Sequence, residues 1–352
     1  MFPHYSQCRL TPHPLHELSL HCYTVMQSYS PLSNQESTMT IKPFSAFQKL
    51  NGLYMKFLPA LILPLIFGIF HFGWQVLAIV MISLAGAFIP AILFSHFRKL
   101  KLDQSWWITG LLCAFALPTQ IPLWAVFLAS AFGQAIGKEV FGGFGTNPFN
   151  PALTGRVFIT LCLPALFAGP WLIPVKPAGG ALSWTADTVS GATPLALFRS
   201  TGTYPEFMNN LLGFTGGSIC ETPAILFFLI MIYMLWRKIG QLTYSFSFLS
   251  TLLVFGYIGS RLFPSRILSG HLQIVTGGVM ACAALYCTDP ISSPRTTQGR
   301  ILSGMLLAFL VIIIRGWSTF PEGIMFSILL VNSFCALLES SSGKKNDASG
   351  VQ

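Results

Sequence analysis

Charge is what this chain has least of. Asp, Glu, Lys and Arg make up 9% of its 352 residues, and the acids number 11. So few charges cannot cover a water-soluble globule of this size, which excludes a soluble enzyme or carrier and makes a bilayer the natural solvent. Cysteine pairs at metal-ligand spacing are missing too. The eight cysteines include no C-x-x-C, so a zinc ribbon or a thioredoxin-type site lacks its ligands, no metal is expected, and Cys113, Cys162, Cys220, Cys282 and Cys287 read as small side chains in or beside apolar runs. No G-x-G-x-x-G or Walker A spacing occurs in a βαβ context, which removes soluble nucleotide folds. Residues 1–40 have no apolar core of the kind a cleavable signal peptide carries. Their composition does not match that of the remaining chain, and Met39 is read as the native start, with residues 1–38 not native, because Lys42 and Lys49 then lead into the first apolar run.

What the chain has in abundance is apolar sequence: 53% hydrophobic residues and a mean hydropathy of +0.65. A crossing helix needs roughly 20 apolar residues. Runs at Phe57–Trp74, Val76–Phe94, Ser105–Leu117, Leu123–Gly137, Val157–Val175, Pro223–Trp236, Tyr244–Ser260, Leu268–Cys287, Ile301–Ile314 and Gly323–Leu338 predict about ten spans. Those at Ser105, Leu123 and Ile301 are short for a crossing, as tilted or broken helices inside a bundle would be. An even number of spans puts both termini on one side. That side then holds Lys42, Lys49, Lys56, Arg98, Lys99, Lys101, Lys138, Arg156, Arg237, Lys238, Arg295, Arg300, Lys344 and Lys345, against Lys176, Arg199, Arg261, Arg266 and Arg315 on the other. The positive-inside rule makes the termini cytoplasmic and residues 176–222 extracytoplasmic. The net charge of +9 is thereby explained as topology, and no nucleic-acid partner is expected.

Two stretches share a pattern: Ile108-Thr109-Gly110 followed by Ala114 and Ala116, and Val275-Thr276-Gly277 followed by Ala281 and Ala283. Each leads to a proline (Pro118, Pro290), a further span ending near Lys138 or Arg315, and a proline turn (Asn147-Pro148, Phe320-Pro321). Two halves of five spans have inverted topology, and interrupted segments at corresponding places point to a site near the midplane. The expected organisation is a disordered cytoplasmic segment over 1–50, a first membrane repeat over 51–175, an extracytoplasmic loop over 176–222, a second membrane repeat over 223–340 and a cytoplasmic tail over 341–352.

The densest motif runs from Gly137 to Arg156, through Lys138-Glu139, Gly142-Gly143, Gly145, Asn147-Pro148 and Asn150-Pro151. Its glycines let backbone approach a flat partner or let helices touch, and its prolines forbid continuous helix. In the outer loop, Ser190-Gly191-Ala192-Thr193-Pro194 presents a hydroxyl on an open turn. Four acids fall at span ends or membrane depth: Glu139, Glu221, Asp289 and Glu322. They could bind Na⁺, relay protons, or cap half-helices, a role that Glu221 and Glu322 suit because they open helices. No catalytic base, nucleophile or hydride site is visible.

Together these segments resemble the RnfD/NqrB family of membrane subunits, found in the Rnf complex and in the sodium-pumping NADH:quinone reductase. The resemblance covers about residues 50–340 and includes Gly216-Gly217-Ser218-Ile219-Cys220-Glu221-Thr222, Thr288-Asp289-Pro290, Gly299-Arg300 and Phe320-Pro321-Glu322-Gly323. Departures fall at Cys220, Pro223 and Ser292-Ser293-Pro294-Arg295.

The resemblance implies an all-α integral membrane protein with ten helices in two inverted repeats, similar to urea transporters, in the bacterial inner membrane among lipid. It implies FMN held covalently through a phosphoester on Thr193, inside the motif Ser190, Gly191, Ala192, Thr193, and placed there by a separate flavin transferase. Arg199 is a candidate partner for the phosphate, or else an interfacial anchor, and Phe198 and Trp184 could wall the flavin ring. A quinone or a second, noncovalent flavin such as riboflavin is assigned to the region of Gly142, Gly143, Asn147 and Asn150, and ion coupling to Glu139, Asp289, Glu221 or Glu322. The chain is then an electron-passing subunit of a multi-subunit translocating oxidoreductase of the Rnf type, with no independent activity. The quinone-reductase subunit, and a solute channel without redox role, are the alternatives.

Overall fold

The computed structural model describes residues 43–343 except 169–170, 175–182, 186–187, 220–222, 241, 319 and 321. The expectations for Met39, Glu221, Cys220 and the last nine residues therefore lie outside the described residues. The chain divides after Leu50, and the features described belong to the second unit, Asn51–Gln352, or to the helix that leads into it.

The first five helices are α1 (Pro43–Phe72), α2 (Gln75–Arg98), α3 (Trp106–Phe115), α4 (Leu123–Gly137) and α5 (Pro151–Cys162). Beyond α5 come a single turn at Ala165–Ala168 and an antiparallel ribbon, β1 (Trp171–Pro174) with β2 (Thr188–Gly191), paired Trp171 to Gly191 through Pro174 to Thr188. Two short helices, α6 (Pro194–Thr201) and α7 (Phe207–Leu212), precede α8 (Ala224–Arg237), α9 (Leu242–Leu262) and α10 (Gly270–Val275). A turn at Val279–Ala281 runs into a π-helical turn at Cys282–Tyr286, and α11 (Thr297–Trp317) and α12 (Ile324–Gly343) complete the order.

The chain is a helical membrane protein by length and composition. Three helices, α2, α9 and α11, are long and apolar enough to cross a bilayer, with mean hydropathies of 2.6, 1.4 and 1.9, and several shorter apolar helices accompany them. Large apolar side chains such as Met81, Leu93, Phe228, Leu229, Val254 and Phe309 stand on the outside, while Ser83, Ser130, Gln134, Ser245 and Ser303 are buried. That inversion suits a molecule whose solvent is lipid.

Packing is organised around two helices. In the first half α2 packs on α4 and α3, and α4 on α5; in the second, α9 packs on α11 and α10, and α11 on α12. Small residues set the closeness of these contacts. A Cβ at Gly86 of α2 would meet the Phe127 backbone of α4, and one at Gly304 of α11 would meet Ser247 and Phe248 of α9. Between the halves, α5 lies against α12.

The run at Ile301, short for a crossing in the sequence, belongs to α11, whose 21 residues are enough to cross. Three further departures from the sequence-based expectation have local causes. The run Val157–Val175 does not form one helix: α5 starts at Pro151, capped by the Asn150 carboxamide oxygen accepting from Leu153 N at 3.2 Å, and ends at Cys162 because Pro164 follows. The run Leu268–Cys287 is split between α10 and the π turn, at Gly277 with φ +66°. The ribbon β1–β2 means that the chain is mostly, not wholly, helical.

Candidate functional site

The segment that carries Ser190–Thr193 is held down before it presents anything. Trp74 and Gln75, at the start of α2, donate their backbone N–H groups to the Ser183 and Trp184 carbonyls at 3.2 and 3.0 Å. The ribbon then leads straight into the Ser190–Thr193 motif. Gly191 is small because it faces Ile173, whose Cδ1 would lie 2.7 Å from an added Cβ. Ser190 and Ala192 are exposed, while Gly191 and Thr193 are half-buried.

Thr193 is the N-cap of α6. Its Oγ1 accepts from Ala196 N at 3.2 Å, and Pro194 occupies the first helical position with its ring already at a helical φ. The hydroxyl thus sits at the positive end of a helix dipole, where a phosphate oxygen is stabilised by the same N–H groups. An ester oxygen at Oγ1 keeps its ability to accept, so attachment of a phosphoryl group conserves the cap. These residues fit a phosphoester-linked flavin.

The rest of α6 is an anchor. Leu195 and Phe198 are buried with Leu268 and Leu272, so Phe198 is part of this small core and not an open wall, whereas Trp184 is 63% exposed. Arg199 occupies the other end of α6 from Thr193. Its Nε donates to the Arg315 carbonyl at 2.9 Å and its Nη2 to the Ile314 carbonyl at 3.3 Å. Burial, then the nearby Arg315 and Arg266, draw its pKa below the ordinary guanidinium value. The guanidinium is committed to the end of α11.

Away from these residues a cavity of about 250 Å³ is lined by both halves. Its polar lining includes Thr109, Lys138, Asn147, Asn150, Thr288 and Asp289, and its apolar lining includes Phe57, Ile108, Leu112, Phe144 and Leu285. Asn150 Nδ2 donates to Asp289 Oδ2 at 3.3 Å, and Ser292 Oγ donates to the same oxygen at 2.7 Å. Lys138 is buried; its Nζ donates to Asp103 at 2.5 Å and to Ser105, and lies 5.4 Å over the Phe144 ring. Asn147 is 4% exposed, donates Nδ2 to the Phe149 carbonyl at 3.1 Å, and leaves its Oδ1 buried without a hydrogen-bond partner among the described residues. An apolar slot with a few convergent polar groups and one orphaned acceptor suits a planar ring that carries an N–H or O–H donor.

Gly142 and Gly143 do not line this cavity. With φ of +120° and +97° they turn the chain from Glu139 back toward Asn147. Glu139 is buried outside the cavity, accepting from Gln134 Nε2 at 2.8 Å, with Arg98 Nη1 3.6 Å from its carboxylate and the Arg98 guanidinium also on its carbonyl. Glu322 is elsewhere: it pairs with Arg315 at 3.1 Å and accepts from Gly278 N at 2.9 Å. So the sequence-predicted residues separate into three groups: Ser190–Thr193 between β2 and α6, Asn147, Asn150 and Asp289 at the cavity, and Glu139 and Glu322 each in an ion-pair network. Sequence reasoning missed Lys138, Thr109 and Thr288 as cavity residues. Lys138 carried a signal in its place beside Glu139 at the head of the glycine-rich motif.

A family model described as NQR2, RnfD, RnfE matches residues 39–346. The chain is similar to the B subunit of the Na(+)-translocating NADH-quinone reductase of Ectopseudomonas mendocina, with 35% identity over 262 residues, 70% of this chain and 62% of that protein. The corresponding proteins of Pseudomonas aeruginosa and Yersinia pestis are 33% and 32% identical over 262 and 266 residues. The matched stretch spans about 62% of the length of the first of these relatives.

Proposed function

The chain belongs to the NQR2, RnfD, RnfE family, and from that premise we propose that it is a flavin-bearing membrane subunit of a redox-driven ion-translocating complex of the Rnf type, carrying FMN on Thr193. The observation that carries this reading is the position of Thr193, a half-buried helix cap whose loop neighbours Ser190 and Ala192 are exposed. A flavin transferase must reach that hydroxyl, and the helix end then stabilises the phosphate. Bound there, FMN would supply electron transfer in one- or two-electron steps. The chain's own residues fix the attachment: Leu195 and Phe198 pack α6 onto Leu268 and Leu272, and Arg199 ties it to α11.

The cavity between the halves is the proposed place for a noncovalent flavin or a quinone head. Asn147 Oδ1 is free to accept from a flavin N–H or a hydroquinone hydroxyl, Asn150 and Asp289 form a hydrogen-bonding edge, and Gly142 and Gly143 set the turn that brings Asn147 there. Coupling to Na⁺ or H⁺ falls to Asp289, Glu139 or Glu322, with Glu221 a further candidate from the sequence. The like packing of α2–α5 and α9–α12 supports two repeats; the proposal makes them inverted halves of a ten-helix, urea-transporter-like fold in the bacterial inner membrane, with the termini cytoplasmic by the charge asymmetry.

A second reading is favoured by the relatives' names: membership of a Na(+)-translocating NADH-quinone reductase as its B subunit. Both readings need other subunits and a flavin transferase. A solute channel without redox role does not. Co-expression with the transferase, followed by denaturing electrophoresis and in-gel fluorescence, separates them. A fluorescent band that disappears in Thr193→Val is expected; no band in the parent chain, or a band that survives Thr193→Val, removes Thr193 as the attachment point.

A further inference from the structure

The turn Cys282–Tyr286 is π-helical, and the bond that closes it runs from Cys287 N to the Cys282 carbonyl at 2.9 Å. This changes which side chains meet. Five residues apart on an α-helix, two side chains diverge by about 140° around the axis; across a π turn the i→i+5 bond stacks them. The Sγ atoms of Cys282 and Cys287 are 3.6 Å apart, and the two residues are 0% and 1% exposed.

The turn is held open by side-chain hydroxyls. Ser245 Oγ of α9 donates to the Ala283 carbonyl at 2.6 Å, Thr288 Oγ1 to the Ala284 carbonyl at 2.8 Å, and Ser293 Oγ to the Cys287 carbonyl at 3.1 Å. These bonds occupy carbonyls that an α-helical ladder would use, so the widened geometry is built in. Tyr244 of α9 is buried as well, 2% exposed.

We infer that Cys282 and Cys287 form a redox-active dithiol whose oxidant is a substituted quinone. The pair lies in the apolar interior, next to Leu285 and Thr288, which line the cavity between the halves. An oxidant that reaches it must be apolar and must take two electrons and two protons, and quinones that dissolve in a bilayer do both. In the reaction two S–H bonds break and one S–S bond forms. The two electrons and two protons pass to the quinone oxygens, giving the hydroquinone. The sulfurs need to approach by only about 1.5 Å to reach disulfide length. Nothing in this depends on flavin at Thr193.

The test uses the full chain in native membranes, with duroquinone as oxidant because its fully methylated ring offers a thiol no open carbon for addition. After acid quenching, denaturation and alkylation, the peptide containing both cysteines is weighed. The expected peptide is two hydrogens lighter, carries no alkyl groups, and regains both alkylation sites after dithiothreitol. Cys113 and Cys162, which have no facing thiol among the described residues, stay fully alkylated, and in Cys282→Ser the remaining Cys287 does too. Full alkylation of both cysteines after exposure, or oxygen addition on single sulfurs without loss of the two hydrogens, overturns the inference. The wild-type readout stands whether or not the Ser variant folds.

Discussion

Glu139 shows how one carboxylate can be both satisfied and costly. Gln134 donates to it and Arg98 lies 3.6 Å away, yet burial still pushes its carboxyl above the usual carboxylate range, with Gln134, Lys138 and Arg98 pulling the other way. It sits in the turn between α4 and α5, outside the spanning helices. The sign follows directly. The native state holds this proton more tightly than the unfolded chain, so unfolding free energy falls as pH rises from the usual carboxylate range through the raised native value, and the cost is complete above it. Glu139→Gln keeps a polar group of similar shape and removes the titration. In lipid nanodiscs, the thermal midpoint of the wild type is expected to fall relative to that of Glu139→Gln across this window as pH rises. Parallel profiles would mean that Arg98 and Lys138 offset burial completely. At the same scale, the sequence sets Arg199 six residues from Thr193, as a phosphate partner or an anchor, but not the direction it faces. α6 carries it to the far end of the helix, onto carbonyls 115 and 116 residues further along the chain.

Among the elements, the split between α10 and the π turn carries most consequence. Arg315 places its N–H donors around the gap: Nη1 on the Gln273 carbonyl and Oε1 at 3.2 and 2.9 Å, Nη2 on the Thr276 carbonyl and Glu322 Oε1 at 3.1 Å each, Nε on the Glu322 carbonyl at 3.2 Å. Gly277 closes the site from below. Its φ of +66° disfavours any Cβ, and one built there would fall on the Glu322 carboxylate and 2.9 Å from Arg315 Nη2. Gly277→Ala is expected to destabilise the protein by about 1–3 kcal/mol through backbone strain, and by more if the Arg315–Glu322 pair is displaced. A thermal midpoint equal to the wild type's would show that the gap relaxes freely. The sequence showed that Thr276-Gly277 mattered but not that the helix stops there, because Val275 and Val279 are both apolar and hydropathy is blind to φ. The two Thr-Gly pairs, alike in sequence, differ in structure: Thr109-Gly110 lies within continuous α3, Thr276-Gly277 in the gap. The Cys282–Cys287 pair was hidden for the same reason. Their spacing argues against a contact until a π turn is known. By contrast, the start of α4 at Leu123 and its end at Gly137 were readable, since Pro122 precedes and the glycine-rich motif follows.

For the molecule as a whole, the contacts bear on which loops share a face. Lys138, Asp289 and Gly240 meet at one cavity, and all belong to the set of loops assigned to the cytoplasm. Arg199 and Arg315, assigned to the opposite set, meet at the end of α11. A span count wrong by one between residues 138 and 289, or between 199 and 315, would have put members of one pair on opposite faces. That agreement makes sidedness testable with single positions. Ser190 and Thr146 are both exposed, one in the outer loop and the other beside the cavity motif. In a background where Cys162 and Cys220 are Ser, a membrane-impermeant maleimide added to intact spheroplasts is expected to label Ser190→Cys and to leave Thr146→Cys unmodified until the membrane is permeabilised. Neither position lies in a spanning helix, so the labelling reads topology and not a packing defect. Labelling of Thr146→Cys first would invert the molecule. It would also move Thr193 to the cytoplasmic side, with the 14 basic residues on the opposite face in conflict with the charge asymmetry that places them inside.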